Sequence, residues 1–227
     1  MKRLIILSGA GMSEESGIRT FRDMNGLWEE YDVMEVASIQ AWHKNPELLL
    51  RFYNDRRKQM ISSKPNQGHL LLADLEKAFE VQIVTQNVDD LHERAGSTYV
   101  LHLHGELSKA RSTVDPRLIY PLTDPEMKIG DKCEKGSQLR PHIVWFGEEV
   151  PEMAAAISIV ESADYLCIIG TSLNVYPAAG LINYAPSGIP VFLIDPNPPE
   201  YVARRVEIIA EKAGRGVEIL CEKLKKF

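Results

Sequence analysis

The residues best suited to chemistry sit in short polar runs, each directly after an apolar stretch. Gly9-Ala10-Gly11-Met12-Ser13 follows Leu4-Ile5-Ile6-Leu7 and Ser8. Gln86-Asn87-Val88-Asp89, His104-Gly105, Gly170-Thr171-Ser172 and Asp195-Pro196-Asn197 are placed in the same way. Glycines let a backbone approach a pyrophosphate closely, and N–H groups at a helix start attract its charge. Amides, hydroxyls and a carboxylate can donate to and accept from the polar groups of a ligand. An imidazole titrates near neutrality, which suits proton abstraction. His102 and His104 both qualify, lying on one strand face if the strand runs to Gly105. On residue type alone the two are equivalent. The glycine run by itself is an incomplete dinucleotide fingerprint, because Glu14 occupies the third glycine position of G-x-G-x-x-G.

These runs need elements that hold them at one edge. Residues 4–7 read as a short buried strand, apolar and without alternation. Asn45-Pro46 opens a helix, Asn as its cap and Pro in its first turn, running through Leu48, Leu49, Phe52 and Met60. A second helix is expected over about 69–79, with Leu71, Leu72 and Leu75 on one face. Strands are expected at 81–84, 99–103, 165–169, 191–194 and 206–210. Helices are expected after Asp89, over 152–161, near 178–184 and over 217–224, and 141–146 is extended. Residues 106–140 are polar and rich in Pro and Gly, and they read as an irregular inserted lobe in which only Leu118-Ile119-Tyr120 would form core. Strand–helix alternation predicts an α/β fold: a Rossmann-like parallel sheet with helices on both faces and a smaller lobe. Ligands of such sheets sit at the carboxyl ends of the strands, where the polar runs fall.

Composition narrows the function. The chain has 227 residues and a net charge of −6, which gives no support to nucleic-acid binding. No apolar run approaches the roughly 20 residues of a membrane span, and no signal peptide is read, so a cytoplasmic protein is expected. Three scattered cysteines, Cys133, Cys167 and Cys221, make no disulfide framework and no C-x-x-C pair. A zinc site built from cysteines is therefore not expected.

The runs occur in a recognisable order. Gly9-Ala10-Gly11-Met12-Ser13, Ser16-Gly17-Ile18 and Phe21-Arg22 come first. Pro65-Asn66 with His69, Thr85-Gln86-Asn87-Val88-Asp89 with Leu91-His92, Ala95-Gly96 and His104-Gly105 follow. Arg140-Pro141, Phe146-Gly147-Glu148 and Gly170-Thr171-Ser172-Leu173 with Val175 and Pro177 complete the series. In this the chain resembles the sirtuins, the NAD-dependent protein deacylases, over nearly its whole length.

The resemblance implies the rest. NAD is consumed, an acyl-lysine carbonyl oxygen attacks C1′ of the nicotinamide ribose, and nicotinamide and O-acyl-ADP-ribose are the products. The histidine directly before glycine, His104, is implied as the base, with Asn87 beside it. NAD would be held by Gly9, Ala10, Gly11, Ser13, Gln86, Asn87, Val88 and Asp89. Gly170, Thr171, Ser172, Asp195, Pro196, Asn197 and Ala213 would complete its cradle. Arg22 would pair with a phosphate, and Phe21 would cover the nicotinamide and shield the C1′ cation from water. The substrate, an acylated lysine of a protein or peptide, would lie as a strand beside Val144, Phe146, Gly147 and Glu148 on one side and Asn174 and Val175 on the other.

Tyr53 and Arg56, at i and i+3, share a helix face and resemble the branch that removes succinyl and malonyl groups. There the pair would bind the acyl carboxylate, with Ala37 keeping the pocket roomy. Arg57 and Lys58 read as a solvated basic face.

Three departures stand out. Arg19-Thr20 replace the family's Pro-Asp, the lobe after His104 holds Cys133 alone instead of four zinc cysteines, and Asp195 stands where Asn is common. The cofactor domain is expected over 1–27, 61–105 and 147–227, with the small lobe over 28–60 and 106–146. A monomer is compatible with all of this. An ADP-ribosyltransferase, a non-catalytic NAD or ADP-ribose sensor and, more distantly, a hydride-transferring dehydrogenase are the competing readings.

Overall fold

The computed structural model describes residues 1–18, 27–28, 31–124, 126–171, 176–198 and 206–225, with backbone alone for 27–28. In chain order the elements are β1 (Arg3–Ser8), β2 (Leu27–Trp28), β3 (Tyr31–Asp32), α1 (Val33–Val36), α2 (Ile39–Lys44), α3 (Pro46–Ser62) and α4 (Gln67–Asp74). Then come β4 (Glu80–Thr85), α5 (Leu91–Ala95), β5 (Val100–His102), β6 (Gly105–Ser112), β7 (Ile119–Pro121) and β8 (Leu139–Ile143). The chain closes with α6 (Met153–Glu161), β9 (Tyr165–Ile169), β10 (Val191–Ile194), β11 (Val206–Ile209) and α7 (Ala213–Leu224).

Among the described residues, six parallel strands form one sheet in the order β11-β10-β9-β1-β4-β5. Continuous apolar runs make the central strands because both faces are covered. Leu4 and Ile6 of β1 pack into the core under α4 and α7, and Ile5 and Leu7 pack into the opposite core under α6. The register sets Ser8 level with Thr85 and with Ile169, so the carboxyl ends share one edge. Chain order runs away from β1 on one side through β4 and β5, and from β9 on the other through β10 and β11. The crevice between the ends of β1 and β9 is thus the place where such sheets bind ligands.

A second core is built from residues 33–60 and 107–145, including Trp42, Leu49, Phe52, Tyr53 and Trp145. The stretch expected to be irregular is so over most of its length but contains strands: β6 pairs antiparallel with both β7 and β8. Its polar pattern concealed this because charged residues do the packing. Arg140 and Arg111, both buried, converge on the Glu148 carboxylate at 2.7 and 3.0 Å, and the Arg140 guanidinium lies 3.5 Å from the Trp145 ring centre. Leu118 to Tyr120 is no core, and Ile119 is exposed.

The tip of this lobe is tied by charge. Arg117 and Lys135 both donate to Asp115, at 3.0 and 2.8 Å, and hold its carboxyl well below the usual carboxylate range. The Cys133 thiol donates to Ser112 Oγ at 3.4 Å.

Smaller differences have local causes. Two short helices, α1 and α2, occupy a stretch the sequence left unassigned, capped by Asp32 and Ser38. Residues Ala178–Tyr184 form a 3-10 helix, and Leu75–Lys77 finishes α4 in the same tighter geometry. Helix α7 begins at Ala213, four residues before the expected start, despite Gly214 and Gly216. A Cβ on Gly216 would lie 2.1 Å from Ile194 Cγ2, so close helix–sheet packing requires the glycine that weakens the helix.

Candidate functional site

The chain leaves β1 through Gly9 without entering a long helix. Two 3-10 turns, Ala10–Met12 and Glu14–Ser16, replace the expected helix start. The turns lean on the end of β9: Gly9 N–H donates to Ile169 O and Gly11 N–H to Gly170 O, each at 2.9 Å. A Cβ on Gly9 would meet Thr171 Cβ at 2.7 Å, and one on Gly11 would meet Gly170 Cα at 2.7 Å. Gly170 itself has φ +61°. Two glycine turns thus abut main chain to main chain, and the crevice floor is backbone with Ala10 exposed on it. The glycines serve this abutment as well as any ligand above it.

The acidic pair that breaks the fingerprint has a use. Glu15 accepts the Gly214 N–H at 2.8 Å, and Glu14 pairs with Lys212 at 2.9 Å. Both fasten the glycine turns to the start of α7, where a carboxylate meets the positive end of the helix.

Ser13, Asn87 and Asp89 form one buried network. The Ser13 hydroxyl donates to Asp89 Oδ2 at 3.0 Å and accepts from Asn87 Nδ2 at 3.1 Å. Asp89 Oδ1 accepts the Leu91 N–H at 3.2 Å, so this residue shapes the turn before α5 while joining the network. Burial pushes the Asp89 carboxyl up, and the Leu91 and Ser13 bonds counter it. Gln86 Nε2 donates to Thr171 Oγ1 at 3.2 Å across the crevice.

The loop after β4 is fastened to the chain around His104 by four successive carbonyls. Thr85 O accepts from Leu103 N–H at 2.9 Å, Gln86 O from His104 Nδ1 at 3.1 Å, Asn87 O from His102 Nδ1 at 2.9 Å and Val88 O from Leu107 N–H at 2.8 Å. These contacts separate the two histidines. A carbonyl only accepts, so His104 carries its proton on Nδ1. Its Nε2 has no partner among the described residues and is the open, basic nitrogen. Burial lowers the His104 pKa against the opposing pull of Gln86 O, so the ring is neutral near pH 7. His102 differs: its Nε2 faces Glu93 Oε1 at 2.7 Å while Nδ1 faces Asn87 O. Both nitrogens meet acceptors, so this ring is doubly protonated. Strand β5 ends at His102, and Leu103-His104 is a turn. The shared strand face therefore does not exist.

Beyond His104 the chain forms a wall. Val144 N–H donates to His104 O at 2.9 Å, Phe146 N–H to Ala37 O at 2.8 Å and Ile39 N–H to Phe146 O at 3.1 Å. Phe146 is 44% exposed and Gly147 has φ +88°, which turns the segment. Glu148 faces inward: its carboxylate takes Arg140, Arg111 and the Trp145 N–H, leaving its main chain to line the wall. Tyr53 and Arg56 lie under the wall on the inner face of α3, Arg56 only 5% exposed. Trp145 Nε1 donates to the Tyr53 hydroxyl at 2.9 Å, which keeps its own proton to donate. Arg57 is also buried, donating to Leu107 O at 2.7 Å and to Asn54, so the expected solvated face reduces to Lys58.

The other expected site residues are placed less uniformly. Asp195 is wholly buried and its Oδ1 accepts the Asn197 N–H at 2.9 Å, so the carboxylate shapes the turn while Pro196 and Asn197 are exposed. Ala213 is buried at the start of α7. Phe21, Arg22, Ser172, Asn174 and Val175, like Arg19-Thr20, lie outside the described residues.

Comparison with known proteins matches this arrangement to one family. A model of the Sir2 family matches residues 9–177, which opens on the glycine turns and takes in the loop, the histidine and the wall. The chain belongs to the Sir2 family. A NAD-dependent protein deacylase of Bacteroides thetaiotaomicron is 54% identical over 226 residues, covering 97% of each chain. One of Helicobacter pylori is 53% identical over 225 residues, covering 99% of this chain and 98% of its own. A crystal structure of a Sir2 homolog–NAD complex superposes with a TM-score of 0.88 at 39% identity, covering 99% of this chain and 90% of that one.

The Sir2 site here fits a dinucleotide on its own geometry. A backbone-floored crevice at the switch point is flanked by a hydroxyl–amide–carboxylate network and an open imidazole nitrogen. Among the described residues no group of three or more His, Cys, Asp or Glu could hold a metal ion. No helix among them is long and apolar enough to cross a membrane. The contacts that sequence reasoning missed are those of Glu14, Glu15, Arg111, Arg140 and Glu93. None contributes an apolar pattern, and their value comes from partners distant in the chain.

Proposed function

We propose that this Sir2-family chain is a NAD-dependent protein deacylase that prefers succinyl- and malonyl-lysine to acetyl-lysine. The observation that carries the reading is His104 held neutral, with Nδ1 on the Gln86 carbonyl and Nε2 open beside the crevice. A base of this kind suits proton removal from a sugar hydroxyl at neutral pH. The deacylase names of relatives above 50% identity over nearly the full chain support the activity.

NAD, when bound, supplies an electrophilic ribose carbon and a leaving group. The protein does the remainder. Gly9, Ala10, Gly11 and the Gly170 turn form the crevice floor, and Ser13, Asn87 and Asp89 orient the ribose end, with Phe21 and Arg22 assigned to the nicotinamide and phosphate sides. Ser172, Asp195, Pro196, Asn197 and Ala213 are assigned to the adenosine side, Asp195 and Ala213 through the turns they build. Val144, Phe146 and the Gly147-Glu148 main chain receive an extended peptide, faced by Asn174 and Val175. In this reading the cofactor part comprises 1–27, 61–105 and 147–227, and the small lobe 28–60 and 106–146 carries the acyl pocket.

The acyl preference rests on α3. Tyr53 and Arg56 are one helical turn apart, both buried, near Ala37. The Arg56 charge lies close enough to ease Tyr53 ionisation against the upward push of burial. A guanidinium and a phenol hydroxyl together match a carboxylate at the end of an acyl chain. The test is incubation with NAD and matched succinyl, malonyl and acetyl peptides, with mass spectrometry of the products. Loss of the acidic acyl groups in preference to acetyl is expected, with acylated ADP-ribose formed. Arg56→Met should lower succinyl and malonyl turnover by about 10²-fold and leave acetyl turnover within a few-fold. Equal loss of all three acyl groups, unchanged in that variant, would refute the preference. NAD-dependent ADP-ribose on the peptide in place of acyl transfer would refute the deacylase reading.

A further inference from the structure

The second histidine has no part in the proposed reaction, yet its contacts are the more demanding of the two. His102 donates from Nδ1 to Asn87 O at 2.9 Å and from Nε2 to Glu93 Oε1 at 2.7 Å, with its side chain 7% exposed. Asn87 therefore accepts from His102 on its main-chain carbonyl and donates to Ser13 from its side chain. We propose that His102 is a positioning residue: held as an imidazolium between the Asn87 carbonyl and Glu93, it fixes the 86–89 loop in the shape that binds NAD. The proposal rests on the NAD reading of the crevice.

The charge follows from geometry, since two acceptors face two ring nitrogens. The surroundings agree. Burial lowers the His102 pKa, but the Glu93 bond and charge, the Asn87 carbonyl and Glu106 outweigh it and the net shift is upward. The Glu93 carboxyl, raised by burial, is lowered on balance by its bond and charge contact with His102.

Every element around the ring has a charged or titratable group to account for. His92 and Glu93 come from α5, Asp89 from the loop and Glu106 from β6. Arg111, His142 and Glu152 line the same cavity of about 210 Å³. Burial pushes His92 well below 6.5 and His142 to about 4, so both are already neutral there. The Glu93 carboxyl is held below its ordinary value, and Arg111, Glu106, Glu152 and Asp89 are the other charged side chains of the set. His102, whose pKa is raised, is thus the histidine of this set that is charged and loses its proton as pH rises. Losing its proton turns one of the two hydrogen bonds into a contact between lone pairs.

The test compares the wild type, His102→Gln and Glu93→Gln. ADP-ribose affinity is measured by calorimetry from pH 6 to 9, KM for NAD and for acyl peptide by steady-state kinetics, and amide hydrogen exchange across residues 86–89. Wild-type affinity should fall on the alkaline side. Glu93→Gln should move that fall about one unit toward lower pH, because the carboxylate no longer favours the imidazolium. His102→Gln should abolish the pH dependence, weaken ADP-ribose about tenfold, as loss of a charge-assisted hydrogen bond does, and speed exchange at 86–89. KM for NAD should rise while KM for peptide stays within twofold. Unchanged exchange at 86–89 in both variants overturns the clamp, as does an unchanged pH profile in His102→Gln. A wild-type protein that binds no ADP-ribose at any pH would instead defeat the NAD reading, and exchange would still decide on the clamp.

Discussion

Two imidazoles separated by one leucine carry different charges because of the atoms their nitrogens face. His104 has one acceptor and an open nitrogen, and His102 has two acceptors. His104→Ala should abolish turnover while ADP-ribose still binds, since the crevice floor is backbone; calorimetry beside an acyl-peptide assay checks both halves. Burial depresses the His104 pKa, so the acid limb of kcat/KM should fall below the 6.5 of a free imidazole.

The same sign governs stability. His69, fully buried, is pushed down to about 4, and His92 also falls. As pH falls from about 6.5, the unfolded chain takes up protons that the folded chain refuses, so stability drops toward pH 4. His69 alone accounts for on the order of 3 kcal/mol. His102, with its raised pKa, works the other way and keeps its contribution at low pH. Denaturant midpoints at pH 7 and pH 5 check the sum, expected to be lower at pH 5.

At the scale of elements, the site is made by segments that touch through their backbones. Gly11→Ala puts a methyl against the Gly170 main chain, which has nowhere to go. About 1–3 kcal/mol of stability should be lost, together with most NAD binding; thermal unfolding with and without ADP-ribose measures both.

This scale also shows what could be read in advance. The runs at 165–169 and 191–194 are strands at those very boundaries, because an apolar strand covered on both faces has no other pattern. The polar runs did fall at one sheet edge. Strand β6 and the start of β8 were hidden because Arg111, Arg140 and Glu148 replace apolar residues in their packing, and an ion cluster leaves no periodicity. His102 and His104 could not be told apart by residue type for a related reason. They depend on carbonyls at 86 and 87, and a carbonyl looks the same in every residue.

For the molecule as a whole, the small lobe stands on charge, aromatic packing and a short sheet. Asp115 joins Arg117 to Lys135 at its tip, and Trp145 lies between Trp42, Tyr53 and Arg140. Chelators should leave the melting midpoint unchanged, because among the described residues no group of three or more His, Cys, Asp or Glu could hold a metal ion. Asp115→Asn should lower the midpoint, and the wild-type lobe should loosen only when pH falls below the ordinary carboxylate range. Its fastening is present above the unfolded Asp pKa and lost as pH falls through the depressed folded value. Near-ultraviolet dichroism of the tryptophans during acid titration follows this directly.

The position of β1 has a consequence for how the protein is made. Leu4 pairs with Val81 on one side and with Tyr165 on the other. A ribosome emits the first neighbour early and the second only after two-thirds of the chain is out. During that interval β1 has one unpaired edge, and Gly9 and Gly11 face empty water where the Gly170 turn will later sit. On the proposed reading the half-made chain already carries His104 and Asn87, yet has no crevice to put them to use. Enzyme chemistry therefore begins only with the closing of an edge that is also a place for nascent chains to stick to one another.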